Sequence, residues 1–389
     1  MSLTLYSLPS DIYDVVSEFL DDKSLFVLLT LSRNITVSKY LLRQRLQQQK
    51  RRQKIELQQQ NWRQKCLEYW AFQGDLPAVR YLHSIGGICS KYAMARASKQ
   101  GHLEVVQYLH SIGAVASDYA MTWACENGHL AVIQYLYSIQ AHNPKNWEAM
   151  ENACEKGHLA VVQFLHSIGM TYGDSAMSSA SMNGHLAVVQ YLRSVGAPCS
   201  QYSMDIASGY GYLEVVQYLH NTGATCSTSA MSWAAYKGHL AVLEYLHSIG
   251  ARCDYLAMDN ACRKGHLAVV KFLHSINAPC SRNAMDMASG RGHLEVVQYL
   301  HSVGIHCTSY AMDLAGANGD LPMMQFLHSI ETPVTPDAMT WASANGYLAA
   351  VKYLHSIGGI FKIKTAAHWA AKNGHVRIVA YLEKHFVAF

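Results

Sequence analysis

Apolar residues recur along most of this chain at the three- and four-residue spacing of an amphipathic helix. In one representative stretch, Leu103, Val106 and Leu109 share one side of a predicted helix, whereas Glu104 and Gln107 lie on the other. The same stretch recurs many times with few changes. A second apolar segment, with Met and Ala at fixed positions, precedes each copy. The pattern therefore predicts pairs of short helices in which flexible Met side chains fill the gaps beside small Ala.

A glycine returns at a nearly constant interval and sets the length of the repeating unit. Nine of the eleven intervals are 27 residues, one is 28 and one is 29. Self-similarity at this period is typical of a stacked repeat array, which offers a long surface to a partner. The sequence thus predicts about twelve units over residues 62–389. The glycines are Gly74, Gly101, Gly128, Gly157, Gly184, Gly211, Gly238, Gly265, Gly292, Gly319, Gly346 and Gly374.

Each unit carries its own helix start and stop signals. Eleven residues before the glycine stands a residue whose side-chain oxygen can accept a first-turn N–H. The glycine then ends the first helix, and the second helix follows at once. About three residues remain before the next unit, too few for a pair of strands. The predicted cap residues are Ser90, Ser117, Asn146, Ser200, Ser227, Asp254, Ser281, Thr308 and Thr335.

Charge is scarce and unevenly placed. Charged residues make up 15% of the chain and the net charge is +4. Residues 1–66 hold eleven Lys and Arg against six Asp and Glu, whereas the remainder holds twenty against twenty-one. The near-neutral repeats argue against a nucleic-acid footprint along them. No apolar run approaches the length of a membrane span. We therefore expect an intracellular protein, cytoplasmic or nuclear, without a membrane partner.

Histidine and cysteine are abundant, but their positions follow the repeat. Seventeen of twenty-one histidines lie either directly after the glycine, as His102 does, or in the Leu-His-Ser run, as His110 does. Neighbouring copies are too far apart to share one zinc ion, so we predict structural hydrogen bonds. Six cysteines at one loop position are predicted to be free thiols. We expect no catalytic residues, metal or cofactor. The loop cysteines are Cys89, Cys199, Cys226, Cys253, Cys280 and Cys307.

The run GHLEVVQYLHSIGA at Gly101–Ala114 resembles the second half of an ankyrin repeat, and the likeness recurs over about 320 residues. The resemblance implies an all-α, ankyrin-like repeat solenoid that binds a protein along its first helices. Two features depart from the family. The unit is shorter than the usual 33 residues, and the Thr-Pro-Leu-His opening is replaced. The finger between repeats should therefore be reduced or absent.

The segment LPSDIYDVVSEFLDDKSLFVLLTLSR at residues 8–33 resembles an F-box. The resemblance implies docking onto the Skp-type adaptor of a cullin–RING ubiquitin ligase. The alternative is a small helical cap over the first repeat. We divide the chain into an F-box-like module at 1–42, a basic Gln-rich connector at 43–61 and the repeats at 62–389. The candidate adaptor contacts are Leu8, Pro9, Ile12, Val16, Leu20, Leu25 and Leu28.

The connector contains the basic run Lys50–Lys54, which is either a nuclear-localisation or nucleic-acid patch or the solvated face of a helix. Its low hydrophobicity also permits disorder. Binding of nucleic acid is the weaker interpretation.

Positions that vary between units mark the surface that is free to specialise. Acidic residues recur six residues before the glycine, and Trp recurs at the next position. These positions predict an acidic stripe with aromatic anchors for a basic or mixed protein segment. The alternative is that the acids are solvated and the Trps pack between units. The candidate target contacts are Glu151, Asp205, Trp233, Asp259, Asp286, Asp313 and Trp341.

Together these features predict a non-enzymatic adaptor that presents a target, held on the repeats, to a ubiquitin ligase. The alternative is a plain scaffold or sequestering protein with no ligase link. Chains that join these two modules are similar to those of large DNA viruses and their hosts.

Overall fold

A computed structural model describes residues 35–141, 147–173, 175–358 and 361–385 of the chain. Within these residues all regular secondary structure is helical, in twenty-four helices. Two compact units divide between Ser117 and Asp118. The predicted all-α fold class is thus confirmed, and no helix in the described ranges is both long enough and apolar enough to span a membrane.

The first unit is built on one long helix. Helix α1 runs over Ile35–Gln73, and α2 (Leu76–Ser84), α3 (Ala93–Lys99) and α4 (Leu103–Ser111) follow. The C-terminal end of α1 packs on α2 and α3. With these bounds α1 includes all of the expected connector at 43–61. Every connector side chain that the structure describes is exposed. Its last turns supply the first helix of the first repeat.

The second unit contains ten helix pairs in two layers. First helices pack on first helices and second helices on second helices. The first helices are α5 (Asp118–Glu126), α7 (Trp147–Glu155), α9 (Ala176–Met182), α11 (Gln201–Tyr210), α13 (Thr228–Lys237), α15 (Tyr255–Lys264), α17 (Ala284–Ser289), α19 (Tyr310–Asn318), α21 (Pro336–Ala344) and α23 (Ile363–Lys372). The second helices are α6 (Leu130–Ser138), α8 (Leu159–Ser167), α10 (Leu186–Ser194), α12 (Leu213–Asn221), α14 (Leu240–Ser248), α16 (Leu267–Ser275), α18 (Leu294–Ser302), α20 (Leu321–Ser329), α22 (Leu348–Ser356) and α24 (Val376–His385).

The core lies between the two layers and has the predicted composition. In the repeat around Gly265, Met258 and Ala261 of α15 are buried together with Val269 and Leu273 of α16. Each large apolar side chain that is fully buried contributes roughly 1.5–3 kcal/mol. No single repeat can bury these side chains without its neighbours, so the stability of each repeat depends on the next one.

The turn glycine is required for two reasons, as Gly265 illustrates. Its φ of +76° lets the chain turn from α15 directly into α16, a conformation that costs glycine little. The ring of His293, from the next repeat, also lies against it, so a Cβ on Gly265 would collide with that ring. His293 Nε2 donates to the Arg263 carbonyl at 3.1 Å. We call this pair of contacts the histidine latch.

The latch recurs within both units. In each case the histidine after one turn glycine packs on the preceding turn glycine. The pairs are Gly74–His102, Gly128–His158, Gly157–His185, Gly211–His239, Gly238–His266 and Gly346–His375. Tyr212 and Tyr347 occupy the same place over Gly184 and Gly319. Five further latch rings donate a hydrogen bond from Nε2 to a backbone carbonyl of the preceding repeat, which confirms the predicted structural role of these histidines. They are His102, His158, His185, His266 and His375.

The second histidine row joins neighbouring second helices. His166 Nδ1 lies 2.7 Å from the Tyr191 hydroxyl, and His220 Nδ1 lies 2.8 Å from that of Tyr245. Where the partner is Phe272, His247 keeps only an edge-to-face ring contact. Both histidine rows are therefore contacts between repeats.

We expect Gly265→Ala to lower the free energy of unfolding by at least about 1 kcal/mol more than Gly250→Ala does. Both glycines are left-handed, but a Cβ at Gly250 meets nothing within 4 Å, whereas one at Gly265 displaces the latch ring. Both variants therefore incur the backbone strain of about 1–2 kcal/mol, and only Gly265→Ala also loses the latch. Urea-induced unfolding followed by circular dichroism measures both. Equal losses in the two variants would contradict the latch.

Candidate partner-binding surface

Four of the predicted target-binding carboxylates are buried. Asp205, Asp259, Asp286 and Asp313 keep between 2% and 5% of their surface exposed. They lie on the sides of the first helices that face the next repeat. A buried ionised carboxylate is unfavourable unless hydrogen bonds compensate for the lost water, so the partners of these groups decide their role.

The next repeat supplies those partners. Asp286 Oδ1 accepts from the Thr308 backbone N–H at 2.9 Å, and Oδ2 accepts from the Thr308 hydroxyl at 2.6 Å. Thr308 in turn lies two residues before α19, and its Oγ1 accepts from the N–H of Tyr310, the first residue of that helix, at 3.1 Å. We call this contact the carboxylate–cap bond. It ties the middle of one first helix to the start of the next.

The carboxylate–cap bond recurs at all four aspartates. The pairs are Asp205–Ser227, Asp259–Ser281, Asp286–Thr308 and Asp313–Thr335. Glu151 accepts a hydrogen bond from Ser175 at the equivalent place. The predicted acidic stripe is therefore corrected in one respect: the carboxylate oxygens of its four aspartates are buried and occupied within the stack, because the next repeat's cap residue reaches them.

Burial also changes the acidity of these groups. Desolvation raises the pKa of Asp286, while the hydrogen bonds from Thr308 act in the opposite direction. Desolvation likewise raises the pKa of Asp313, which Thr335 partly offsets. Both carboxylates thus take up a proton more readily in the folded chain than in water.

The two candidate Trp residues lie partly at the surface. Trp233 is 38% exposed, and its ring meets Tyr202 edge to face at 6.0 Å. Trp341 is half-buried and meets Tyr310 in the same way at 5.8 Å. The Cβ of Trp233 also packs so closely on Gly209 that a side chain there would meet it. Each Trp therefore packs between repeats and still presents part of its ring.

Three exposed tyrosines extend this surface, and the sequence analysis missed them. Tyr202, Tyr255 and Tyr310, at the starts of first helices, are each about half exposed. Together with Trp233 and Trp341 they form what we call the aromatic row. Its sequence signal is a tyrosine nine or ten residues before the turn glycine, where Tyr92 and Tyr119 also stand and where several other repeats carry a polar residue.

The cysteines of the described residues are all free, and the loop cysteines are half-buried. Burial raises the pKa of Cys253 and of Cys280 to about 11, so both are thiols at neutral pH. Among the residues that the structure describes, no group of three or more His, Cys, Asp or Glu side chains is placed to hold a metal ion.

The predicted adaptor contacts lie outside the described residues. All seven, between Leu8 and Leu28, precede Ile35, where the description begins. They stay predictions from the sequence.

Comparison with known proteins identifies the repeats. A family model described as "Ankyrin repeats (3 copies)" matches residues 94–175 and 121–203. A second, "Ankyrin repeats (many copies)", matches residues 231–274 and 253–301. The crystal structure of the human ASB11 ankyrin repeat domain is similar to 48% of this chain and 99% of its own length, at 19% identity and a TM-score of 0.40. A search of curated protein sequences found no match.

We expect Asp286→Ala to lower the free energy of unfolding by about 1–3 kcal/mol, because the Thr308 N–H and hydroxyl lose their acceptor. Asp286→Asn keeps an acceptor and the shape, so it should stay within about 1 kcal/mol of the parent at neutral pH. Thermal and urea unfolding measure both. An Ala variant as stable as the parent would contradict the carboxylate–cap bond.

The pH dependence follows from the raised pKa of Asp286. Above that raised value the folded chain bears the full cost of a buried charge. As the pH falls toward the ordinary value of 3.8, the folded chain takes up the proton first and the cost disappears. The stability of the parent relative to Asp286→Asn should therefore rise on acidification. A difference that is constant with pH would contradict this assignment.

Proposed function

We propose that this chain, which carries ankyrin repeats over residues 94–203 and 231–301, is a non-enzymatic adaptor that holds a target protein on the aromatic row. Ankyrin repeats indicate a protein–protein interaction module. The finer assignment, to this particular surface, rests on the exposure of the row.

The observation that carries the proposal is that the aromatic row leaves large rings partly exposed on the first helices, which bury their Met and Ala side chains in the core. In α13, Trp233 is 38% exposed, whereas its neighbours Ser232 and Ala234 are buried. Trp and Tyr are enriched among the residues that dominate binding energy. Their rings are fixed by Tyr202 and Tyr310, so little side-chain entropy is lost when a partner covers them.

Replacing Trp233 and Trp341 together by Ala tests the target surface. We expect retention of proteins that the parent binds from cell extract to fall at least tenfold, as is typical when two central aromatic contacts are lost. The matched control replaces Val115 and Val376, exposed apolar residues outside the row, by Ala. Retention that falls equally in both variants, or in neither, would contradict the assignment.

We further infer that the F-box-like segment recruits a Skp-type adaptor and so links the bound target to a cullin–RING ligase. The support is the sequence at residues 8–33, with its Leu-Pro opening and the Leu-rich stretch that follows. The bound target would then be presented for ubiquitin transfer by the ligase, and this chain would supply binding rather than chemistry.

Co-purification with a Skp-type adaptor tests the ligase link. We expect the parent to retain the adaptor and a Leu8→Ala/Pro9→Ala variant to lose it. The control is Leu57→Ala, at an exposed position of the connector. If the folded parent retains no adaptor, the segment is a cap and the chain is a scaffold without a ligase link.

A further inference from the structure

The carboxylate–cap bonds change the charge of the surface beside the aromatic row. Helices α13, α15 and α17 contain two acidic residues, Asp259 and Asp286, and both are buried. These three helices therefore present no exposed carboxylate. Lys237 and Lys264, at the ends of α13 and α15, are exposed, and so is Arg291, which follows α17. On these first helices and at their turn ends the exposed charge is thus positive, whereas the sequence predicted an acidic stripe.

The exposed cations occupy one equivalent position in three consecutive repeats. Lys237, Lys264 and Arg291 each stand directly before the turn glycine, and all three are exposed. We call them the basic turn row. Consecutive repeats stack about 8–10 Å apart. The row is thus a line of three positive charges at regular spacing.

In two other repeats an asparagine at this position makes a structural hydrogen bond. Asn318 Nδ2 donates to the Gly290 carbonyl of the preceding repeat at 2.7 Å, and Asn345 donates to the Ala317 carbonyl. Asparagine supplies the hydrogen bond to the preceding repeat at this position. The need for that bond therefore does not explain why three repeats carry a cation there instead. Lys156, at the same position of another repeat, pairs with Glu155 at 2.8 Å.

The three cations of the basic turn row form no ion pair with any residue in the described ranges. Two of them lie over tyrosine rings instead. Lys264 Nζ is 4.4 Å from the centre of the Tyr236 ring, and Lys237 Nζ is 5.9 Å from that of Tyr210. The rings limit the motion of the long side chains while leaving the charges facing water.

We propose that the basic turn row binds an extended acidic segment of a partner protein, with carboxylates at every third residue. The proposal rests on the proposed function, of which it names the partner's chemistry. A polyproline-II chain has three residues per turn and advances about 3.1 Å per residue, so side chains three residues apart share one face and span about the distance between repeats. Carboxylates at i, i+3 and i+6 therefore face Lys237, Lys264 and Arg291 in turn, while intervening apolar side chains reach Trp233.

A protein segment fits this surface better than a nucleic acid does. Proteins that bind DNA through its backbone contact about six to ten phosphates, whereas the basic turn row has three cations. The residues from 67 onward carry twenty Lys and Arg against twenty-one Asp and Glu, so the positive potential is local. A short acidic segment matches both the extent and the charge.

The test uses a labelled peptide of about nine residues with three Asp spaced three apart in a Gly/Ser background. Its binding to the full chain is followed by fluorescence anisotropy at low and at physiological salt. We expect binding that weakens with salt, and about a tenfold loss in the variant Lys237→Gln/Lys264→Gln/Arg291→Gln. Because all three changes lie at exposed positions, the variant should keep the parent's melting temperature.

Two controls make the outcome specific. A charge-matched variant replaces three exposed cations elsewhere, Arg252, Arg282 and Arg377, by Gln and should bind like the parent. A peptide of the same composition with its three Asp adjacent should bind about tenfold more weakly than the spaced one. Equal loss in both variants, equal binding of both peptides, absence of binding, or tighter binding of a single-stranded oligonucleotide would overturn the proposal.

The two proposals fail differently. A partner that needs the aromatic row but binds equally well to the triple Gln variant would keep the proposed function and overturn this inference. A partner that is indifferent to both surfaces would overturn both.

Discussion

The contact between a turn glycine and the ring of the next repeat determines how successive repeats are joined. A left-handed residue without a Cβ lets the first helix turn directly into the second, and it also leaves the slot that the next repeat's ring fills. At Gly265 the ring of His293 lies in the slot, and its Nε2 donates a hydrogen bond to the Arg263 carbonyl near the end of α15. The turn within one repeat and the contact between two repeats are therefore a single structural feature, and neither can change alone.

The carboxylate–cap bond holds the other end of the same helices. Asp286 accepts from both donors of Thr308, and the Thr308 hydroxyl oxygen accepts from the first N–H of the next first helix. Helices α13 and α21, for example, are held at their starts by the carboxylates of Asp205 and Asp313, and the turn glycines that follow them carry a latch. Only the first turn, one position in the middle and the position before the glycine reach the surface. Because those three positions keep part of their side chains at the surface, they are available to a partner.

Local signals in the sequence predicted most of the fold. The glycine period, the cap residues and the Met and Ala core positions act within one repeat, so the pairing of helices and the buried set followed from them. The side to which the aspartate carboxylates point could not be predicted. Helical periodicity describes one helix, and it cannot show that Asp286 accepts hydrogen bonds from a residue 22 positions later. A signal was nevertheless present: every Asp six residues before a turn glycine is followed, 22 residues on, by Ser or Thr. The burial of the four aspartates in the predicted acidic stripe was missed for the same reason.

A double-mutant cycle between Gly265 and His293 tests the central claim most directly. It compares the free energies of unfolding of the parent, Gly265→Ala, His293→Ala and the double variant. If the ring fills the slot, Gly265→Ala should cost clearly less once His293 is Ala, giving a coupling energy of about 1 kcal/mol or more. Strictly additive losses would mean that the glycine serves only the turn, and would contradict the account of how the repeats are joined.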